Sequence, residues 1–190
     1  MIHLIRKLGC TVAVALLVLS AGCTDAASPL SARAGEPSFN SGGGPDVAAL
    51  ARFEKKPQIT IAWAKKWIGP EGGRLDFYGF AIEVPAGAVD KVTMFTIRLP
   101  VDPNGSDHVL AEFGPHAQPF NRPVSIELPY RNTSIEGSAS PTIVWWNNGW
   151  VDMGATVTAD GLRLRTDTDH FSSYGTTDNQ RNGTLIVGGG

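Results

Sequence analysis

Cysteine is nearly absent from this sequence: 190 residues contain only Cys10 and Cys23. Two cysteines cannot build a disulfide scaffold or a four-ligand zinc site. Charge is also scarce, at 18% of residues, which excludes coiled coils and long charged helices. The formal net charge of −2 supplies no basic footprint, so no nucleic acid partner is expected. No apolar run reaches the roughly 20 residues of a spanning helix. The four histidines lack zinc-protease spacing, and neither a Gly-x-Ser-x-Gly elbow nor a phosphate-binding glycine loop occurs. Neither a cofactor nor a metal is therefore expected, and oligomeric state stays open. What the chain has in quantity is glycine and proline, 22 and 13 residues, the punctuation of short elements joined by turns.

The first 23 residues carry an address. His3, Arg6 and Lys7 precede a mostly apolar stretch over 8–19, and the small residues Ser20, Ala21 and Gly22 lead to Cys23. A basic start, a short apolar centre and a small-residue end have the form of a secretory signal. Leu19-Ser20-Ala21-Gly22-Cys23 resembles the bacterial lipobox, with Leu one position earlier than is usual there. That resemblance implies removal of residues 1–22 and diacylation of Cys23, giving export and lipid anchoring to the cell envelope. Thr24 is not the aspartate that resembles an inner-membrane retention signal, so the outer membrane is favoured in a host with two. Loss of Arg6 and Lys7 leaves 14 basic against 18 acidic residues, a net charge of −4. A polybasic tail is thus not the attachment device.

Residues 23–56 are rich in Ser, Ala, Gly and Pro and keep no period of 2 or 3.6. They read as the lipidated N-terminus and a flexible tether, although 47–53 has enough apolar residues for a helical turn or two. From Pro57 onward the pattern alternates: Ile59, Ile61 and Trp63 share one face, as strand residues do. Further strands are expected at 74–78, 80–84, 92–99, 124–128, 142–146, 150–153 and 162–166. Turn residues separate them, among them Gly72-Gly73, Pro85-Ala86-Gly87 and Asn147-Asn148-Gly149. The segment 102–107 has oxygen ligands at calcium-like spacing, but it lacks the EF-hand glycine and glutamate and reads as a turn. Short strands at this spacing predict an all-β chain forming an antiparallel β-sandwich over 57–176. A tail over 177–190 would add an edge strand at most. Asn148-Gly149 predicts a two-residue type I′ hairpin, pairing Trp146 with Val151 and Trp145 with Asp152. Trp145 and Trp146 must then point to opposite faces, and one of them is a candidate stacking platform for a ligand.

Four motifs in order carry a family resemblance. They are Gly72-Gly73-Arg74-Leu75, then Ile82-Glu83-Val84-Pro85-Ala86-Gly87-Ala88-Val89, then Phe120 to Pro129 around Arg122-Pro123-Val124, and His170-Phe171-Ser172-Ser173-Tyr174. Together they resemble the ZU-five domain, a β-sandwich of netrin receptors, zonula occludens proteins, ankyrins and bacterial envelope proteins. The resemblance implies a protein-contact module and not a general enzyme. It also implies one reaction, because some relatives cut themselves between Phe and Ser of a His-Phe-Ser motif. Here the Ser172 hydroxyl would attack the Phe171 carbonyl with His170 assisting the proton. The leading expectation is a lipid-anchored envelope protein presenting an interaction or structural module to an envelope protein or glycan. The alternatives are a carbohydrate- or peptidoglycan-binding module using Trp145 or Trp146, and a self-cleaving domain acting at Phe171-Ser172.

Overall fold

The computed structural model describes residues 48–58, 63–100 and 107–179. The expected signal peptide, Cys23, most of the tether, Ile59, Ile61, the 102–106 turn and the end of the tail lie outside the described residues. Those residues form eleven strands and no helix: β1 (Trp63–Ile68), β2 (Gly73–Phe77), β3 (Phe80–Val84), β4 (Thr93–Arg98), β5 (Leu110–Gly114), β6 (Val124–Pro129), β7 (Pro141–Trp146), β8 (Trp150–Asp152), β9 (Thr156–Val157), β10 (Arg163–Thr168) and β11 (Ser173–Asp178). One sheet has the order β1-β4-β5-β11-β7-β8, the other β2-β3-β6-β10-β9. Neighbouring strands run antiparallel, and the two sheets make the β-sandwich.

Alternation decides which side chains meet between the sheets. Phe80, Ile82 and Val84 of β3, and Val124, Ile126 and Leu128 of β6, point inward, as do Phe95, Ile97, Phe113, Ile143 and Tyr174 of the facing sheet. All are essentially inaccessible to water. Each fully buried aliphatic or aromatic side chain stabilises the fold by about 1.5–3 kcal/mol over its exposed state. Pro85 follows the last residue of β3 and Pro123 precedes the first of β6, because proline has no N–H to give a ladder. Gly72 sits at φ 81°, and a Cβ there would lie 2.5 Å from the Val84 carbonyl oxygen. Only glycine fits that turn.

The outer face of the five-stranded sheet is sealed by charge. Glu127 of β6, 5% exposed, accepts hydrogen bonds from Arg74 (2.6 and 3.2 Å), Arg163 (3.0 Å) and Arg165 (3.1 Å). Arg74 also pairs with Asp76 at 2.8 Å and Glu83 at 2.9 Å. These long side chains lie over β6, which is therefore buried on both faces.

Three features depart from the expectations. The hairpin after β7 is one residue out of the expected register: Trp146 pairs with Trp150 and Trp145 with Val151. The connection has three residues, and its left-handed position is Asn148 at φ 54°, so no type I′ turn forms. Strands β5, β9 and β11 were not anticipated; β11 looks polar in sequence but lies between β5 and β7. Finally, residues 48–54, expected as the end of the tether, are built into the domain. The Ala51 N–H donates to the Thr176 carbonyl, Val109 N–H to Ala51 and Ser134 N–H to Arg52. Leu50 packs with Leu110, Val144 and Trp150 on the outer face of the six-stranded sheet. The apolar character expected to make a helical turn over 47–53 serves packing in the described residues: Ala49 and Leu50 cover the outer sheet face, while Ala51 and Phe53 pack with the core.

Candidate functional site

The residues singled out by sequence are distributed through the sandwich. Phe171 is buried and packs against Phe120 at 4.8 Å and against Phe95 and Phe113 at 5.9 Å. The Ser172 hydroxyl donates to the Trp146 carbonyl at 3.0 Å, and the Ser172 carbonyl accepts the Phe113 N–H at 3.0 Å. The serine proton is thus committed to a neighbouring strand. His170 Nδ1 lies 2.7 Å from Asp169 Oδ1, and this hydrogen bond holds the Asp169 carboxyl below its ordinary pKa. The His170 carbonyl accepts from the hydroxyls of Thr168 and Tyr174, both at 2.7 Å. Burial pushes the Tyr174 pKa up, so this donor keeps its proton. These contacts anchor the start of β11.

Trp145 and Trp146 do point to opposite faces. Trp145 is half-buried against the core, its ring edge-on to His170 at 4.5 Å. Trp146 is half-buried on the outer face, edge-on to Trp150 at 5.2 Å. The tryptophans that stand in solvent are Trp63 and Trp67, 47% and 63% exposed. Sequence reasoning passed over them by placing Trp63 with Ile59 and Ile61. The signal was present in Lys65, which shares a face with both tryptophans; a lysine between two aromatics marks an outward stripe.

Among the described residues, an open concavity of about 530 Å³ lies around the β2–β3 turn, within the volume range of small-ligand sites. Five segments build it. The β2–β3 turn supplies Tyr78 and Gly79, the end of β6 supplies Pro129, the following loop Arg131 and Asn132, and the start of β10 Leu162 and Arg163. Phe53, Glu54 and Lys55 close the remaining side. Backbone hydrogen bonds fix these walls: Glu54 N–H to Asn132 (2.9 Å), Tyr130 and Arg131 N–H to Leu162 (3.0 and 3.1 Å). The loop is held further by the Asn132 N–H on Glu136 and the Thr133 hydroxyl on the Tyr130 carbonyl, both at 2.6 Å.

Tyr78 is the unusual member. Phe77 pairs with Phe80, so Tyr78-Gly79 is a two-residue hairpin turn, with φ 49° and 85°. Asparagine, aspartate or glycine normally occupies the first of these positions. A tyrosine held left-handed costs roughly 1 kcal/mol, and its ring is still 44% exposed. Asn132, on the opposite wall, is also left-handed at φ 59°. The cleft therefore combines an aromatic platform, the apolar Leu162 and Phe53, the acidic Glu54, and the exposed cations Lys55 and Arg131, the latter 3.7 Å from Glu136. Such a set can stack on a flat or apolar group and pair with an acidic one. Among the described residues, no group of three or more His, Cys, Asp or Glu is placed to hold a metal ion. No protein-family model matches the chain, and the search of curated proteins finds no match either.

Proposed function

We propose that this protein is an exported, lipid-anchored cell-envelope protein whose ZU-five-like sandwich is a binding module without general catalysis. Its partner, an envelope protein or glycan presenting an acidic group, occupies the cleft around Tyr78. The observation that carries this reading is Tyr78 itself: a large, half-exposed aromatic kept in a backbone conformation that disfavours it, inside a cleft bordered by cations. Backbone strain retained at a solvent-facing position calls for a compensating role. The four ordered motifs support the family resemblance, since their Gly and Pro residues fall at strand ends and turns of two packed sheets. The arrangement of Trp145 and Trp146, each half-covered, supports stacking at those residues less well than at Tyr78. Self-cleavage has less support, because the Ser172 proton is donated to Trp146.

The test is photo-cross-linking in the native membrane from a reactive residue placed at Leu162, on the rim of the cleft. A specific adduct is expected with the parent protein and its loss with Tyr78→Asn, which relaxes the turn while removing the ring. An adduct pattern identical to that of an unrelated lipoprotein would overturn the proposal.

A further inference from the structure

A second surface, distinct from the cleft, lies on the outer face of the six-stranded sheet. Among the described residues seven large hydrophobic side chains are exposed, and four of them, Trp63, Trp67, Val92 and Met94, gather at β1 and the start of β4. The pairing puts Trp67 opposite Met94, Lys65 opposite Thr96, and Trp63 opposite Arg98. Ala64 and Ile68 pack on the core, so alternation sends Trp63, Lys65 and Trp67 outward together. This row is about 13 Å long at ~3.3 Å per residue. Lys65 sits 5.3 Å from the centre of the Trp63 ring. Arg98 is 63% exposed and only loosely paired, 4.0 Å from Glu112. The face is therefore apolar rings and a thioether interspersed with cations, set on the outer side of paired strands. β1 is also the edge of its sheet, and Lys65 and Lys66 guard it against pairing with another strand.

We propose that this face rests on the lipid surface to which the protein's own N-terminus is anchored, with Trp63 and Trp67 at headgroup depth and Lys65 and Arg98 against anionic headgroups. The inference rests on the lipid-anchor reading for the identity of the surface. Two observations favour a bilayer over a protein or glycan. Tryptophan flanked by lysine and arginine is the composition that settles at a membrane–water interface. The chain also enters the domain on this same outer face, where Leu50 lies over Gly175. Only 25 positions separate Cys23 from Ala48, a reach of at most about 90 Å. An anchor at Cys23 thus keeps the domain within reach of the bilayer, and entry of the chain on this face leaves the face free to rest there. The mature chain's net negative charge does not oppose this arrangement, because screening confines the headgroup field to about 8–10 Å.

The test uses the full chain reconstituted in vesicles of phosphatidylglycerol and phosphatidylethanolamine with brominated acyl chains, reading tryptophan fluorescence. A Trp63→Phe/Trp67→Phe variant supplies the baseline from the three remaining tryptophans. The expected result is bromine quenching of at least half the Trp63 and Trp67 emission. Lys65→Glu/Arg98→Glu should reduce that quenching at least threefold while its thermal melt matches the parent. Unquenched, water-like emission from these two tryptophans on vesicles carrying the protein overturns the proposal. So does an emission shift produced by soluble glycan strands in the absence of vesicles, which assigns the face to a glycan. Intact mass and vesicle flotation of the parent and Cys23→Ala test the anchor separately. An unacylated chain ends the anchor reading, and the quenching measurement then proceeds by adding the protein to the same vesicles.

Discussion

Replacing Glu127 by glutamine removes one negative charge from beneath three guanidinium groups without changing the side chain's size. The carboxylate accepts four hydrogen bonds from Arg74, Arg163 and Arg165. A glutamine offers one acceptor oxygen and turns an NH₂ group toward arginine donors. A fully buried ion pair broken on one side costs about 3–5 kcal/mol. Here the three arginines are 24–40% exposed; Arg74 and Arg163 keep Asp76 or Glu83 as secondary partners and Arg165 keeps the Ser125 hydroxyl, so about 2–3 kcal/mol is expected. Asp76→Asn removes a half-exposed partner and should cost less than about 1 kcal/mol. The acid dependence gives a second handle. Burial opposes ionisation of Glu127, but hydrogen bonds from Arg74 and Arg163 outweigh it and hold its pKa below the usual value. A depressed carboxylate stabilises the fold above its unfolded pKa of about 4.3 and loses that contribution as pH falls through the lower folded value. Urea unfolding at pH 7, 5 and 3 should therefore show a parent–variant gap that is full at pH 7 and narrows below about pH 4. A Glu127→Gln protein within about 0.5 kcal/mol of the parent at pH 7, or a gap that persists unchanged at pH 3, would refute the reasoning.

Tyr78→Asn should be more stable than Tyr78→Ala by about 1 kcal/mol, since both lose the ring but only asparagine suits the left-handed position. A melting difference of roughly 4 °C is the readout, and equal melting temperatures would remove the strain argument behind the proposed cleft. Gly175→Val should lift residues 48–54 off the sheet, because a Cβ there lies 2.7 Å from a Leu50 methyl and 3.1 Å from the Val109 carbonyl. Trypsin cleavage after Arg52 should then quicken at least tenfold, which corresponds to about 1.4 kcal/mol of lost docking; unchanged protection would contradict the packing described. Phe171→Ala should cost about 3–5 kcal/mol in chemical denaturation, as expected for a ring central to an aromatic cluster. Prolonged incubation of the purified protein should leave one full-length mass, identical in behaviour to Ser172→Ala; accumulation of a fragment ending at Phe171 would revive the self-cleavage reading.

The alternating runs at 80–84, 92–99 and 124–128 were legible because each sends its large apolar residues to one face, which imposes a period of two on the residues themselves. Pro85, Pro123 and the glycines beside them were legible for the same local reason: they lack a donor or a Cβ wherever they stand. β11 was not, since Ser173, Thr176 and Thr177 are polar: Thr176 is buried on the inward face it shares with Tyr174, and the outer face is covered at Gly175 by Leu50 arriving from 125 residues away. The hairpin register was missed because Asn148-Gly149 is compatible with loops of two or three residues, and packing of Trp150 with Leu50 and Val144 goes with the longer one. Neither Tyr78 nor the Trp63–Lys65–Trp67 row announced itself as a site. What the sequence by itself determined is the all-β class, most strand positions and the inward residues, all consequences of local chemistry repeated at a short period. Only the tertiary structure decided which aromatic rings remain in water, because exposure depends on which distant segment covers each face of each sheet.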